Sequence, residues 1–427
     1  AIAFNYAKKA LYDPADFEIE EKNGNLTIIS YEDSAEFRDL VIPAWLVADD
    51  GTYKPVTGIA KGVLAKPGMT SVMFLANMKD VDAEAFRIID PEYEDDVTKD
   101  ICADSLKNIY IEEGNEYLKS ENGALYKIKD GKISGLIYYP VGRTEEEYHA
   151  PEELEFIPMG VFRGASNLKK VYIYDNIQGI GSEHFGDYKE SAAFAGCSNL
   201  VAIEIVPSQD TERLKFYGSD QGVLYAREGK EGSRFTTLLY YPKGERRPAD
   251  VTYSAMSYRV VSGCTRIKDM KNCVYLKRIV IPSSVTQIDD NAFEGSAELK
   301  TVEFLGSGIQ TIGDEAFANT KIEALTLPAS IEEIGTQAFY RCRYLKSVQI
   351  TGNSLKSIGR DAFNGDRNIK TISIVSEGKE PSGDAVIAER AFAYLTSLES
   401  LEIKNLKTVN IGLQAFYYDS SLTTAVF

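Results

Sequence analysis

The stretches VTQIDDNAFEGSAELKTVEF (285–304), IQTIGDEAFANTKIEALTL (309–327) and IEEIGTQAFYRCRYLKSVQI (331–350) are three renderings of one template. Val285, Ile288, Ala292-Phe293, Leu299, Val302 and Phe304 recur as Ile309, Ile312, Ala316-Phe317, Ile322, Leu325 and Leu327. They recur again as Ile331, Ile334, Ala338-Phe339, Leu345, Val348 and Ile350. Self-similarity at a short period marks a solenoid, in which each unit buries its apolar side only against its neighbours.

Toward the C-terminus the anchoring Phe falls at 293, 317, 339, 363, 392 and 416, in steps of 24, 22, 24, 29 and 24 residues. Steps of this size match leucine-rich repeats. The ending Leu-x-x-Val-x-Phe puts two apolar residues two apart, which is strand spacing with both on one face. Each unit is therefore predicted to add one short strand to a parallel stack, with the Ala-Phe pair and the aliphatics before it forming the opposite wall. The predicted fold is mostly β with short helical turns: a leucine-rich repeat solenoid, or curved parallel β array, carrying inserted β-hairpins.

Toward the N-terminus the template is looser. Leu154, Ile157, Val161-Phe162, Leu168, Val171 and Ile173 fit it, as do Ile177, Ile180, Ala193-Phe194, Leu200, Ile203 and Ile205. Val56, Ile59, Val63-Leu64, Met69, Val72 and Phe74 fit with one residue missing, and Val63-Leu64 and Asp269-Met270 depart from Ala-Phe. A module breaks the pattern twice: Gly123-Ala124-Leu125-Tyr126 with Leu136-Ile137-Tyr138-Tyr139-Pro140, then Gly222-Val223-Leu224-Tyr225 with Leu238-Leu239-Tyr240-Tyr241-Pro242. Each reads as a β-hairpin. Residues 1–55 lack the repeat and are predicted to be an N-terminal β cap, with a turn at Asn23-Gly24. Residues 56–427 form the solenoid, with hairpin insertions near 115–142 and 214–244.

Composition narrows function. The chain has 427 residues, 44% apolar and 26% charged, which is that of a folded protein. The net charge of −17 opposes a nucleic-acid partner, whose phosphates need clustered Lys and Arg. No apolar run reaches the length of a membrane span. The chain opens Ala1-Ile2 without a leader, so an export signal is expected to have been removed.

Candidate chemistry is sparse. Among the five cysteines, Cys197, Cys273 and Cys342 each sit three before a template Leu and read as buried free fillers. Cys102 and Cys264 form no metal-type pair with them. His149 and His184 read as surface residues outside any nucleophile motif. The acidic loop holding Asp90, Glu92, Glu94, Asp95, Asp96 and Asp100 lacks the central Gly and final Glu of an EF-hand, so it reads as solvated rather than calcium-binding. No catalytic residue, metal site or cofactor is expected.

Here the motifs carry a resemblance. Ile281-Pro282-x-x-Val285-x-x-Ile288, Ile288-x-x-x-Ala292-Phe293 and Ala338-Phe339-x-x-Cys342-x-x-Leu345 resemble the BspA-type bacterial leucine-rich repeat. Val41-Ile42-Pro43, Asp50-Gly51-x-Tyr53-x-Pro55-Val56-x-x-Ile59 and the Gly-x-Leu-Tyr to Tyr-Tyr-Pro module look similar to it too, over roughly 40–427. The resemblance implies a secreted or surface-anchored bacterial protein used for attachment or recognition, and brings no catalytic residues.

The expected function is a non-enzymatic extracellular or cell-surface scaffold binding a protein or glycan. Its rivals are a structural spacer and a glycan hydrolase using groove carboxylates. The residues between paired apolar strand positions face outward, and aromatics collect in the early units. Met73, Tyr110, Tyr172, Tyr174 and Glu204 are the candidate ligand contacts. The competing role for these tyrosines is packing against the first hairpin, whose Tyr138 and Tyr139 lie between them in sequence.

Overall fold

The structure is a computed structural model in which residues 14–32, 39–93, 96–182, 190–228, 234–245, 256–377 and 382–427 are described. It divides into two compact units, Ala1–Leu200 with Val206–Thr211 and Val201–Ile205 with Glu212–Phe427. Strands dominate both; among the described residues the one α-helical segment is Glu190–Ala193.

In the second unit each coil has three sides. The first is the predicted strand. Arg278–Ile281 pairs in parallel with Thr301–Phe304, setting Ile279 against Val302 and Ile281 against Phe304. Ala324–Leu327, Ser347–Thr351, Thr371–Val375, Ser400–Lys404 and Thr424–Val426 then form a five-stranded parallel sheet. The ladder is interrupted between Thr301–Phe304 and Ala324–Leu327, and there Val302 and Phe304 are only half-buried.

The second side differs from expectation, because each coil adds a second strand. Arg266–Ile267, Gln287–Ile288, Thr311–Ile312, Glu333–Ile334 and Ser357–Ile358 pair in parallel, and Ser382–Ile387 and Leu406–Ile411 extend the same sheet. Two residues give too short an alternation for a period to show in the sequence.

The third side is the Ala-Phe turn. The backbone N–H of each Phe donates to the Ala carbonyl of the following coil: Phe293 to Ala316 at 2.7 Å, Phe317 to Ala338 at 2.7 Å, Phe339 to Ala362 at 2.8 Å, Phe363 to Ala391 at 2.8 Å and Phe392 to Ala415 at 2.8 Å. Met270 N–H donates to Ala292 and, in the first unit, Leu64 N–H to Ala85. Met270 and Leu64 therefore take the Phe place, and the register holds through the units that lack Ala-Phe.

The Phe rings follow the backbone. Phe293, Phe317, Phe339, Phe363, Phe392 and Phe416 stack with centroids 4.8, 5.2, 5.0, 5.1 and 5.4 Å apart and planes within 9° of parallel. Offset stacking at this spacing adds to what burial alone contributes. To re-aim the turn, the residues two before and two after Phe take the left-handed conformation: Gln337 (φ 55°) and Arg341 (φ 58°) in one coil, Asp361 (φ 55°) and Gly365 (φ 81°) in the next.

Three residues after Phe runs a buried column, Cys273, Ser296, Thr320, Cys342, Asp366 and Leu395, with Asp419 at its end. Small polar side chains here satisfy turn backbone groups that water cannot reach. Ser296 Oγ donates to Met270 O at 2.8 Å and accepts from Cys273 N, while Cys342 Sγ donates to Phe317 O at 3.2 Å. In the first unit Cys197 Sγ donates to Phe162 O at 3.1 Å. All five cysteines are free, and Cys102 alone is not buried.

In the first unit Phe17–Lys22 and Asn25–Tyr31 form an antiparallel pair around Asn23 (φ 53°) and Gly24 (φ 73°). Asn25–Tyr31 pairs in parallel with Tyr53–Ile59, inside which the expected boundary at residue 55 falls. Each inserted module has three strands where two were expected. Leu118–Glu121, Ala124–Lys129 and Lys132–Tyr138 form one antiparallel sheet, and Tyr217–Asp220, Val223–Glu228 and Arg234–Tyr240 the other. Their register shifts coincide, at Leu125/Tyr126 and Lys127/Ile128 and at Leu224/Tyr225 and Ala226/Arg227. Each buries a tyrosine pair through its hydroxyls, Tyr126 with Tyr148 at 2.7 Å and Tyr225 with Tyr258 at 2.5 Å.

Replacing Phe339 with Ala should cost about 3–5 kcal/mol and weaken the coils on both sides, read by urea unfolding; a change of a few tenths of a kcal/mol would contradict the ladder. Asp366 is fully buried, neither carboxyl oxygen has a hydrogen-bond partner among the described residues, and burial pushes the carboxyl well above the usual range. A carboxyl with a folded pKa above its unfolded one contributes stability below the unfolded pKa, about 4, and loses it as pH rises. Asp419, raised to about 7 by partial burial, acts in the same direction. Asp366→Ser should therefore gain stability relative to the parent between pH 4 and pH 8, and melting curves at the two pH values that shift in parallel would contradict this.

Candidate binding face

In the first unit Asp39–Val41, Ser71–Phe74 and Asn108–Ile111 lie parallel, with Met73 paired to both Val41 and Tyr110. Tyr110 is half-buried. Met73 keeps only 9% of its surface, so it packs beside Tyr110 rather than standing open as the sequence suggested. Beyond Tyr110 a cleft of about 530 Å³ opens toward the inserted strand Leu118–Glu121, bordered by Glu112, Asn115, Lys119 and Arg143.

Its base is pinned by hydrogen bonds. Asn115 Nδ2 donates to Leu75 O and Met78 O at 3.0 and 2.9 Å, while its Oδ1 accepts from Tyr117 N and Leu118 N, both at 2.8 Å. Glu112 Oε2 accepts from Ala76 N at 2.8 Å. At the rim Arg143 pairs with Glu145 at 2.9 Å. A site whose polar groups are already fixed loses little freedom on binding.

Tyr172 and Tyr174 sit on Lys170–Tyr174, whose neighbour is Glu147–His149. The register pairs Tyr172 with His149, and their rings stack 4.3 Å apart at 8°. The sequence left His149 as an isolated surface residue; it is exposed, yet it belongs to the aromatic face. Its role could be read only once the pairing was known. His184 lies outside the described residues.

Tyr138 and Tyr139 pack into the interior of the first unit. Tyr138 stacks on Phe86 at 4.3 Å and Tyr139 packs 5.3 Å from Phe162, both buried. The strand that carries Tyr110 itself packs against the hairpin strands Leu118–Glu121 and Ala124–Lys129. Glu204 belongs to the second unit, where it accepts from Ser219 Oγ at 3.4 Å.

The acidic loop has a structural duty that the sequence reading missed. Asp100 is nearly fully buried between two equally buried arginines. Its oxygens meet Arg163 Nε at 2.6 Å and Nη2 at 3.0 Å, and Arg87 Nε at 3.6 Å. Arg87 in turn donates to Gly160 O and Arg163 O at 2.7 and 2.6 Å. Arg87 and Arg163 each follow a template Phe, the one signal available in the sequence. Glu94 and Asp95 lie outside the described residues; among those described, no His, Cys, Asp or Glu cluster could hold a metal ion.

The model of the BspA type leucine rich repeat region matches in 6 copies over residues 144–205, 268–385 and 379–427, more than half of the chain. The chain belongs to that family of leucine-rich repeat proteins. No curated protein sequence matches it. Among solved structures it is similar to the pneumococcal vaccine antigen PcpA, at 18% identity and a TM-score of 0.58, covering 93% of this chain and 96% of that one. It also aligns with a leucine rich cell surface protein from Faecalibacterium prausnitzii A2-165, at 17% identity and a TM-score of 0.47 over 97% of this chain and 93% of that one. A leucine-rich repeat protein from Bacteroides ovatus ATCC 8483 aligns at 15% identity and 0.45 over 95% and 79%. Among the described residues no helix is long and apolar enough to cross a membrane.

Asp100→Asn should cost several kcal/mol by leaving two buried guanidinium groups without a counter-charge. Thermal unfolding checks this, and a loss below about 1 kcal/mol would contradict the clamp.

Proposed function

We propose that the chain is an extracellular or cell-surface binding scaffold without catalytic activity, and that it recognises a protein or glycan on the strand face of its first unit. The resemblance of its repeat motifs to a bacterial family of secreted or surface-anchored proteins supports the exported location. The observation that carries the reading is the set of aromatic side chains on regular strands: Tyr110 beside Met73 at the edge of a pinned cleft, and Tyr172 with Tyr174 beside His149. Tyr offers an apolar ring and a hydroxyl at small entropic cost, which suits both ligand classes. The clustering of polar backbone anchors beneath the cleft favours recognition over mere spacing.

The test is a triple Tyr110→Ala, Tyr172→Ala, Tyr174→Ala variant. It is measured against any ligand the parent captures on glycan and extracellular-matrix arrays, with circular dichroism to confirm the fold. Aromatic hot spots are typically worth 2 kcal/mol or more, so affinity should fall at least roughly tenfold. A folded variant with unchanged affinity would remove the ligand from this face.

A further inference from the structure

The Ala-Phe turns of the second unit carry a feature that the strand face does not use. At the position two after Phe, successive coils place Arg341, Gly365 and Tyr394, all with positive φ. The glycine leaves a gap between a long cation and an aromatic ring. A Cβ added at Gly365 would meet nothing within 4 Å. The result is a hollow of about 490 Å³ lined by Tyr340, Arg341, Arg343, Arg367, Asn368 and Tyr394, among others.

Its charge runs against the rest of the molecule. In a chain of net charge −17 the hollow gathers three exposed arginines, and no carboxylate lines it among the described residues. None of the three guanidinium groups has a carboxylate partner there, although most neighbouring cations do, as Lys321 with Glu298 and Arg390 with Asp361. Arg341 instead lies over the Tyr340 ring, 4.9 Å from its centroid. Asn368 Nδ2 donates to the Arg343 carbonyl and ties the two coils together beneath the arginines. Asp366, between Gly365 and Arg367 in sequence, is turned inward and fully buried.

We propose that this hollow binds an acidic sugar residue, a pyranose bearing a carboxylate or sulfate, with the arginines on the anion and the tyrosines against the ring. Guanidinium forks match carboxylate and sulfate oxygens in pairs, and unpaired ones keep that capacity for a ligand. The volume suits one or two sugar rings. A nucleic acid fits less well, because it needs a long basic track and the hollow is an island on an acidic surface. This site is separate from the strand face of the first unit and stands or falls without it.

Calorimetric titration of the full chain with 3′-sialyllactose, 3′-sulfolactose and lactose tests the proposal and separates the carboxylate from the sulfate source. At least one charged sugar should bind, lactose should not, and added salt should weaken the interaction. Two variants should each lower affinity at least about tenfold. Arg343→Gln with Arg367→Gln removes charge, whereas Gly365→Asn fills the gap with a residue that already occupies this position, at positive φ, in Asn319. Melting temperatures near the parent's confirm that both fold. Equal binding of lactose, no binding of either charged sugar, stronger binding of a single-stranded oligonucleotide, or full retention by both folded variants would overturn the site.

Discussion

Everything else in the second unit depends on one contact, the stacking of a phenylalanine ring on its counterpart one coil away. The contact has a backbone half and a side-chain half. The N–H of each Phe reaches the Ala carbonyl of the next coil at 2.7–2.8 Å, and that bond sets the distance at which the rings meet. Rings about 5 Å apart and nearly parallel then fill the interior of the coils from Phe293 to Phe416. The two parallel sheets need this same spacing, because strands hydrogen-bond at about 4.8 Å. Ring stacking and strand pairing thus agree, which is why the Phe stack runs on through the break in the outer strand ladder between Thr301–Phe304 and Ala324–Leu327.

That agreement explains what the sequence discloses. Ala-Phe, the aliphatics before it and the paired strand residues recur because each must fit its own copy in the next coil. The period, the free cysteines of the buried column and the doubled module could therefore be read directly. What depends on a single coil could not. The two-residue strands ending at Ile288, Ile312 and Ile334 are too short to leave a period. The strands Leu118–Glu121 and Tyr217–Asp220 exist only because a neighbour offers an edge. The clamp of Asp100 on Arg87 and Arg163 joins residues 13 to 63 positions apart with no motif between them.

The candidate sites follow the same division. Tyr110, Tyr172 and Tyr174 were legible as outward strand positions, since alternation fixes their direction. The stacking of His149 on Tyr172 required the strand register, and the burial of Met73 required both of its neighbours. The arginine hollow was invisible for a different reason. Arg341, Gly365 and Tyr394 are 24 and 29 residues apart, and they come together only because the coils stack in register. A rigid array leaves such outward columns free to vary, so function is written at positions the repeat itself does not constrain.

Native-state hydrogen exchange of the second unit addresses the ladder most directly. The amides of Phe293, Phe317, Phe339, Phe363 and Phe392 should be among the slowest to exchange and should share one opening free energy close to that of global unfolding. Rapid exchange at these amides, or opening free energies that differ coil by coil while the outer strands stay protected, would contradict the claim that the phenylalanine stack holds the array together.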